Sequence, residues 1–173
     1  MVSIQELQHK PIPEIIKILG ALPRGYVTGD LKQIAITLNL SMISYKFDEV
    51  EDKPLCAFIT NDKGQSCIFY RTDLAEQQFR LDRIAIAKAL AKYIITGSNG
   101  FFITESTYFS IREKNFIYEL LMPEAKIHEV NRRLIMPTVL SLANIFDVEP
   151  NFVVERLDAM KGVRRRMIGG YDF

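Results

Sequence analysis

Residues 83–94 read RIAIAKALAKYI. Apolar residues recur at helical spacing through this run, as in a helix buried in a core. Yet Lys88 and Lys92 stand four apart, one turn of helix from each other, so two ammonium groups share one face of an apolar segment. The flanking sequence supports a helix: residues 73–97 open on an acidic residue, contain no Gly or Pro until the end, and close on Gly97. A single long helix is expected here, with a break near Arg80 as a variant.

On the N-terminal side, PLCAFITNDKGQSCIFYR carries two β-rich runs, residues 55–60 and 66–71, around NDKG, whose Asn, Asp and Gly suit a tight turn. A hairpin follows. Before it, GDLKQIAITLNLSMISYKF offers Asp30 as an N-cap, a helix through about Leu38 and strand-like alternation over residues 42–47. Nearer the N-terminus, Ile12, Ile15, Ile16, Leu19 and Leu22 give a short amphipathic helix with Pro13 in its first turn, followed by a Pro-Arg-Gly turn at Pro23 to Gly25.

On the C-terminal side, residues 106–122 read as helical, Pro123 marks a stop, and a second helix starts near Glu124. Residues 138–160 divide at Asp147 to Pro150 into a helical hairpin. The end of the chain, KGVRRRMIGGYDF, holds Arg164, Arg165 and Arg166 close to Lys161 and reads as a flexible basic tail.

The chain has 173 residues, enough for one compact domain or a domain with a small appendage. A 48% apolar and 25% charged composition fits a globular protein, and a net charge of +1 gives no global attraction to a polyanion or an anionic membrane. No apolar run approaches the ~18 residues of a membrane span, and the start of the chain lacks the features of a signal peptide, so a cytoplasmic location without membrane contact is expected. Cys56 and Cys67 fit neither a redox pair nor a zinc ribbon and read as small buried hydrophobes. His9 and His128 lie far apart and read as surface residues rather than ligands.

Residues 30–160, taken in order, resemble the ImmA/IrrE family of bacterial metallopeptidases. The resemblance lies in the helix and strand of residues 30–47, the hairpin, RIAIAKALAKYI in the place of R-x-x-x-A-H-E-x-x-H, EKNFIYELLMP in the place of the E-A-N helix, and the C-terminal helical pair. In NFIYELLMP, residues Asn115, Phe116, Leu120, Leu121, Met122 and Pro123 match that family's pattern position for position. The resemblance implies an α+β, zincin-like fold with a small sheet or hairpin packed on the motif helix. It divides the chain into an N-terminal helical extension (1–29), a pseudo-peptidase domain (30–130), a helical hairpin (131–160) and a tail (161–173).

The chemistry implied by the family fails at the motif. Lys88 and Lys92 stand where the two histidines would hold Zn²⁺, and Ala89 where the glutamate would take a proton from bound water. A protonated amine has no lone pair to donate, so no metal or other cofactor is expected. The third ligand position falls on Glu113 or on Ile111, and the spacing leaves both open.

Three roles are open for the lysines: snorkelling at the rim of a groove, pairing with Glu113 in place of the metal, or holding an anion. Arg83 and Asn115 join Lys88, Lys92 and Glu113 as candidate binding residues. The expected function is that of an inactive member which regulates by binding a protein, of the repressor type, in a mobile-element or stress-response setting. The alternatives are a peptidase with a non-standard metal site, and a nucleic-acid binder using the basic tail.

Overall fold

The computed structural model describes residues 3–20, 31–45, 56–60, 64–71, 79–97, 100–104, 106–134 and 137–168. In chain order these form α1 (Ile4–Gln8), α2 (Ile12–Ile18), α3 (Leu31–Thr37), β1 (Ser41–Tyr45), β2 (Cys56–Thr60), β3 (Ser66–Arg71) and α4 (Phe79–Ala91). A π-helical turn (Lys92–Thr96) continues α4 directly. Then come β4 (Phe101–Ile103), α5 (Ile111–Leu121), α6 (Glu124–Arg133), α7 (Val139–Phe146) and α8 (Pro150–Ile168). The fold is α+β.

The four strands form one mixed sheet in the order β1-β3-β2-β4. The hairpin read from the sequence is present, with Cys56 opposite Tyr70 and Thr60 opposite Ser66 in antiparallel register. On its other edge β3 pairs in parallel with β1, Ser41 opposite Cys67, and β2 pairs antiparallel with β4, Cys56 opposite Ile103. Both edges of the hairpin therefore carry a further strand.

Helix α4 lies between the sheet and α5, packing against β2 and β3 on one side and α5 on the other. This explains its composition: from Ile84 to Ala91 every residue is buried except Lys88, and the four alanines among them let neighbouring elements approach closely. Each fully buried Leu or Ile, such as Leu90, Ile94 or Leu120, contributes about 1.5–3 kcal/mol relative to exposure.

The helix ends follow local chemistry. Ser110 and Glu113 form a reciprocal capping box that starts α5. Pro123 separates α5 from α6, and Thr138 caps α7 by accepting the Ser141 N–H at 3.1 Å. Asp147 ends α7 in the left-handed region, φ 53°, a conformation that the short polar side chain tolerates.

Arg156 of α8, itself buried, reaches across to the end of α5. Its Nε donates to the Met122 carbonyl (3.2 Å) and its Nη2 to Glu119 Oε1 (2.5 Å), while the guanidinium lies 5.3 Å from the centre of the Tyr118 ring. The LLMP end of α5 is thereby satisfied by a cation from the C-terminal hairpin.

Several expectations need correction. Residues 106–110 are not helical, because Ser110 is the cap, and α5 starts at Ile111. The helix of residues 83–94 ends as a π turn closed by Gly97 in the left-handed region, φ 66°. Short helix α1 and strand β4 were not anticipated.

The N-terminal helices contribute to the core. Leu7, Ile15, Ile16 and Leu19 belong to the same buried cluster as α4, α5 and α8. Helical backbone in α8 runs on through Arg164, Arg165 and Arg166 to Ile168, beyond the Met160 at which the hairpin was expected to give way to a tail. The expectations for Asp30, for Leu22, for the Pro23 to Gly25 turn, and for Asn61, Asp62 and Lys63 of the hairpin turn fall outside the described residues, as do the side chains of Cys56 and of the three arginines. Cys67 is a free, buried cysteine. No described helix is long and apolar enough to cross a membrane.

Candidate functional site

Lys88 of α4 and Lys92 of the π turn converge on one aromatic ring. Lys88 Nζ lies 5.7 Å and Lys92 Nζ 4.9 Å from the centre of Phe109, a buried residue in the segment leading to α5. An ammonium over a ring face is attracted by the ring quadrupole, more strongly where water is partly excluded. Lys92 opens the π turn, and its side chain is only 19% exposed.

Beside Phe109, the first turn of α5 presents Glu113, which is 1% exposed. Lys92 Nζ stands 3.0 Å from Glu113 Oε1. Thr96, from the same π turn, places its hydroxyl 3.0 Å from that oxygen and 2.7 Å from the Lys92 carbonyl, so its one proton serves either acceptor. Glu113 Oε2 accepts the Ser110 N–H at 2.6 Å, and the Glu113 N–H donates back to Ser110 Oγ at 3.3 Å. One buried carboxylate thus closes the cap of α5 and ties it to the end of α4.

Burial pushes the Glu113 carboxyl upward, but the Ser110 backbone N–H, the Lys92 ammonium and the Ser110 and Thr96 side chains together outweigh it. The net displacement is below the usual carboxylate range. Glu113 is therefore an anion matched to the Lys92 cation.

Of the two positions left open by the spacing, Glu113 reaches Lys92, whereas Ile111 is 75% exposed. Asn115 is also exposed, about 200° around the helix from Glu113 and outside the cluster. Arg83 is half-buried, five residues before Lys88 and roughly 140° around α4 from it.

Among the described residues, Glu149 is a further carboxylate, acted on by the charge of Lys88. It is half-buried at the start of α8; burial pushes its carboxyl above the usual range, and the charge of Lys88 opposes the push. Lys92 is in direct contact with a carboxylate, and Lys88 lies over the Phe109 ring. Snorkelling describes the half-buried Lys88, and ion pairing describes Lys92.

The set does not fit Zn²⁺. Lys88 and Lys92 have no lone pair to offer while protonated, and Lys92 holds the Glu113 carboxylate in an ion pair. Ala89 is fully buried and carries only a methyl group. Among the described residues, no group of three or more His, Cys, Asp and Glu is placed to hold a metal ion. His128 meets Glu124 within α6 (3.3 Å), and His9 follows α1.

A surface hollow of about 520 Å³ lies along α6, lined by Ala125, Lys126, Glu129, Arg132 and Arg133. Its charges include the Lys126–Glu129 and Arg133–Glu129 ion pairs, and its lining shares no residue with the lysine cluster.

Reasoning from the sequence missed Phe109, Thr96, Ser110 and Glu149. A signal did exist for one of them: Ser110 and Glu113 are spaced as S-x-x-E before an apolar run. No family model matches the chain, and no curated protein matches it.

Proposed function

We propose that this protein is a catalytically inactive, zincin-like relative of the ImmA/IrrE metallopeptidases that regulates by binding another protein. The observation that carries the reading is the Lys92–Glu113 ion pair. It lies where the resemblance would put one histidine ligand and the carboxylate ligand of a zinc ion, and it joins the same two helices that the metal would join. Lys92 cannot coordinate a cation while protonated, and Ala89 cannot act as a base. A direct charge contact takes over the mechanical role of the ion and leaves no hydrolytic chemistry at these positions.

The partner follows from the resemblance rather than from the cluster. A peptidase scaffold that recognises repressors and has lost its metal retains a surface able to bind without cutting. The proposed partner is a helix-turn-helix repressor encoded beside the protein, acting in a cytoplasmic regulatory system.

Two measurements on the purified, unmodified chain test this reading. Elemental analysis is expected to find transition metal far below stoichiometric; one zinc per chain would overturn the inactive reading. Titration calorimetry against the neighbouring repressor is expected to show saturable binding, with the repressor intact by mass spectrometry afterwards. Cleavage of the repressor, or no heat of binding, would overturn the regulatory role.

A further inference from the structure

The Lys92–Glu113 contact spans two elements, the π turn and the start of α5, and the N-terminal helices pack on both. Helix α1 packs against the π turn and α2 against α5. Between them, the Lys10 carbonyl accepts a hydrogen bond from Arg112 Nη2 at 2.8 Å, and Arg112 is the residue next to Glu113. Lys10 Nζ also stands 2.6 Å from Glu14 Oε1 and 3.9 Å from Glu6 Oε1, so one side chain staples α2 to α1. Past the π turn, Gly97 lies against the side chain of Gln8, leaving no space for a β-carbon without moving that amide.

We propose that residues 3–20 act as a strap across the outside of the joint, positioning Lys92 against Glu113 and holding the two helices at contact distance. The strap is not an arm offered to a second copy of the chain, because its large apolar residues Leu7, Ile15, Ile16 and Leu19 are already buried within this one. It is anchored at three points: apolar packing on the π turn, apolar packing on α5, and the Arg112 hydrogen bond between them. A partner that lifts this segment parts Lys92 from Glu113 at the same time. The strap stands whether or not the partner is a repressor.

The test reads the joint directly, through the exchange of the Lys92 ammonium protons with water in ¹⁵N-resolved NMR. Arg112→Ala removes one anchor at an exposed position and leaves the apolar packing in place. It is expected to speed Lys92 ammonium exchange about tenfold through more frequent local opening. Lys126, paired with Glu129 on α6, is the internal control and is expected not to change. Arg112→Lys, which can still reach the Lys10 carbonyl, is expected to restore most of the protection.

Leu7→Ala removes a second anchor and is expected to act in the same direction. If it does not fold, Arg112→Ala decides the matter alone. Unchanged Lys92 exchange in folded Arg112→Ala, or equal acceleration at Lys92 and Lys126, would overturn the strap.

Discussion

Lys92 and Glu113 are unequal partners, and the inequality is measurable. Glu113 is almost completely buried, while Lys92 keeps a route to water along its stem. Lys92→Met leaves a buried carboxylate without its cation and is expected to cost about 3–5 kcal/mol at neutral pH. Glu113→Gln keeps an acceptor for the Ser110 N–H and frees a cation that can turn outward, so a smaller cost of about 1–3 kcal/mol is expected.

The pH dependence has a definite sign. The folded-state pKa of Glu113 is depressed, so its contribution is fully present above the unfolded carboxylate pKa and is lost as pH falls through the folded value. Urea denaturation of parent and Lys92→Met proteins across the acid range is therefore expected to show a difference that is largest near neutrality and shrinks as Glu113 protonates. A difference independent of pH would mean that Lys92 acts through packing alone. Glu149 has the opposite sign: its folded pKa is raised, so it favours folding below the unfolded pKa, and that contribution is lost as pH rises through the folded value.

The junction between α4 and α5 depends on how two helix ends are built. Gly97 closes the π turn at φ 66°, where a β-carbon is strained and Gln8 occupies the space beside it. Gly97→Ala is expected to cost about 1–2 kcal/mol. Ser110→Ala, which removes one half of the capping box, is expected to cost about 1 kcal/mol. Thermal unfolding of both variants checks these values, and a neutral Gly97→Ala would mean that the turn relaxes to another ending.

What the sequence revealed of these elements, and what it hid, have separate physical causes. The β2–β3 hairpin, the break at Pro123 and the division at Asp147 to Pro150 were readable because each rests on local chemistry: alternation around a turn, a missing N–H, a short polar residue beside a proline. The π turn was hidden because KYIIT keeps helical character and only the hydrogen-bond pattern shifts. Strand β4 has three residues, too few to display a period, and owes its state to pairing with β2. The parallel pairing of β1 with β3 is a tertiary choice that neither strand encodes alone. Within the cluster, Lys88 and Lys92 could be named from their spacing and Glu113 from the resemblance, whereas Phe109 reaches them only through packing.

Considered across the whole chain, the cluster is a joint between layers, and the proposed descent from a metal site can be tested by substitution. Lys88→His with Lys92→His places two imidazoles one turn apart, the second at the position from which Lys92 now pairs with Glu113. This double variant is expected to bind one zinc per chain, and Glu113→Gln added to it is expected to weaken binding severely. Because zinc would bind the folded state alone, free metal at a hundred times its Kd is expected to raise stability by about 2.7 kcal/mol, which chelation would remove. Adding Ala89→Glu is a different matter, since Ala89 is fully enclosed and a larger, charged side chain must displace packed neighbours or enter them. The triple variant is therefore expected to be less stable than the double, at equal zinc content. If the double variant folds yet takes up no zinc, Lys88 and Lys92 do not stand at ligand positions, and the resemblance fails at the residues on which it bears most. If it binds zinc and the triple variant gains no hydrolytic activity, the packing around Ala89 leaves no room for a working base. A hydrolytic site would then require a larger pocket as well as a new side chain.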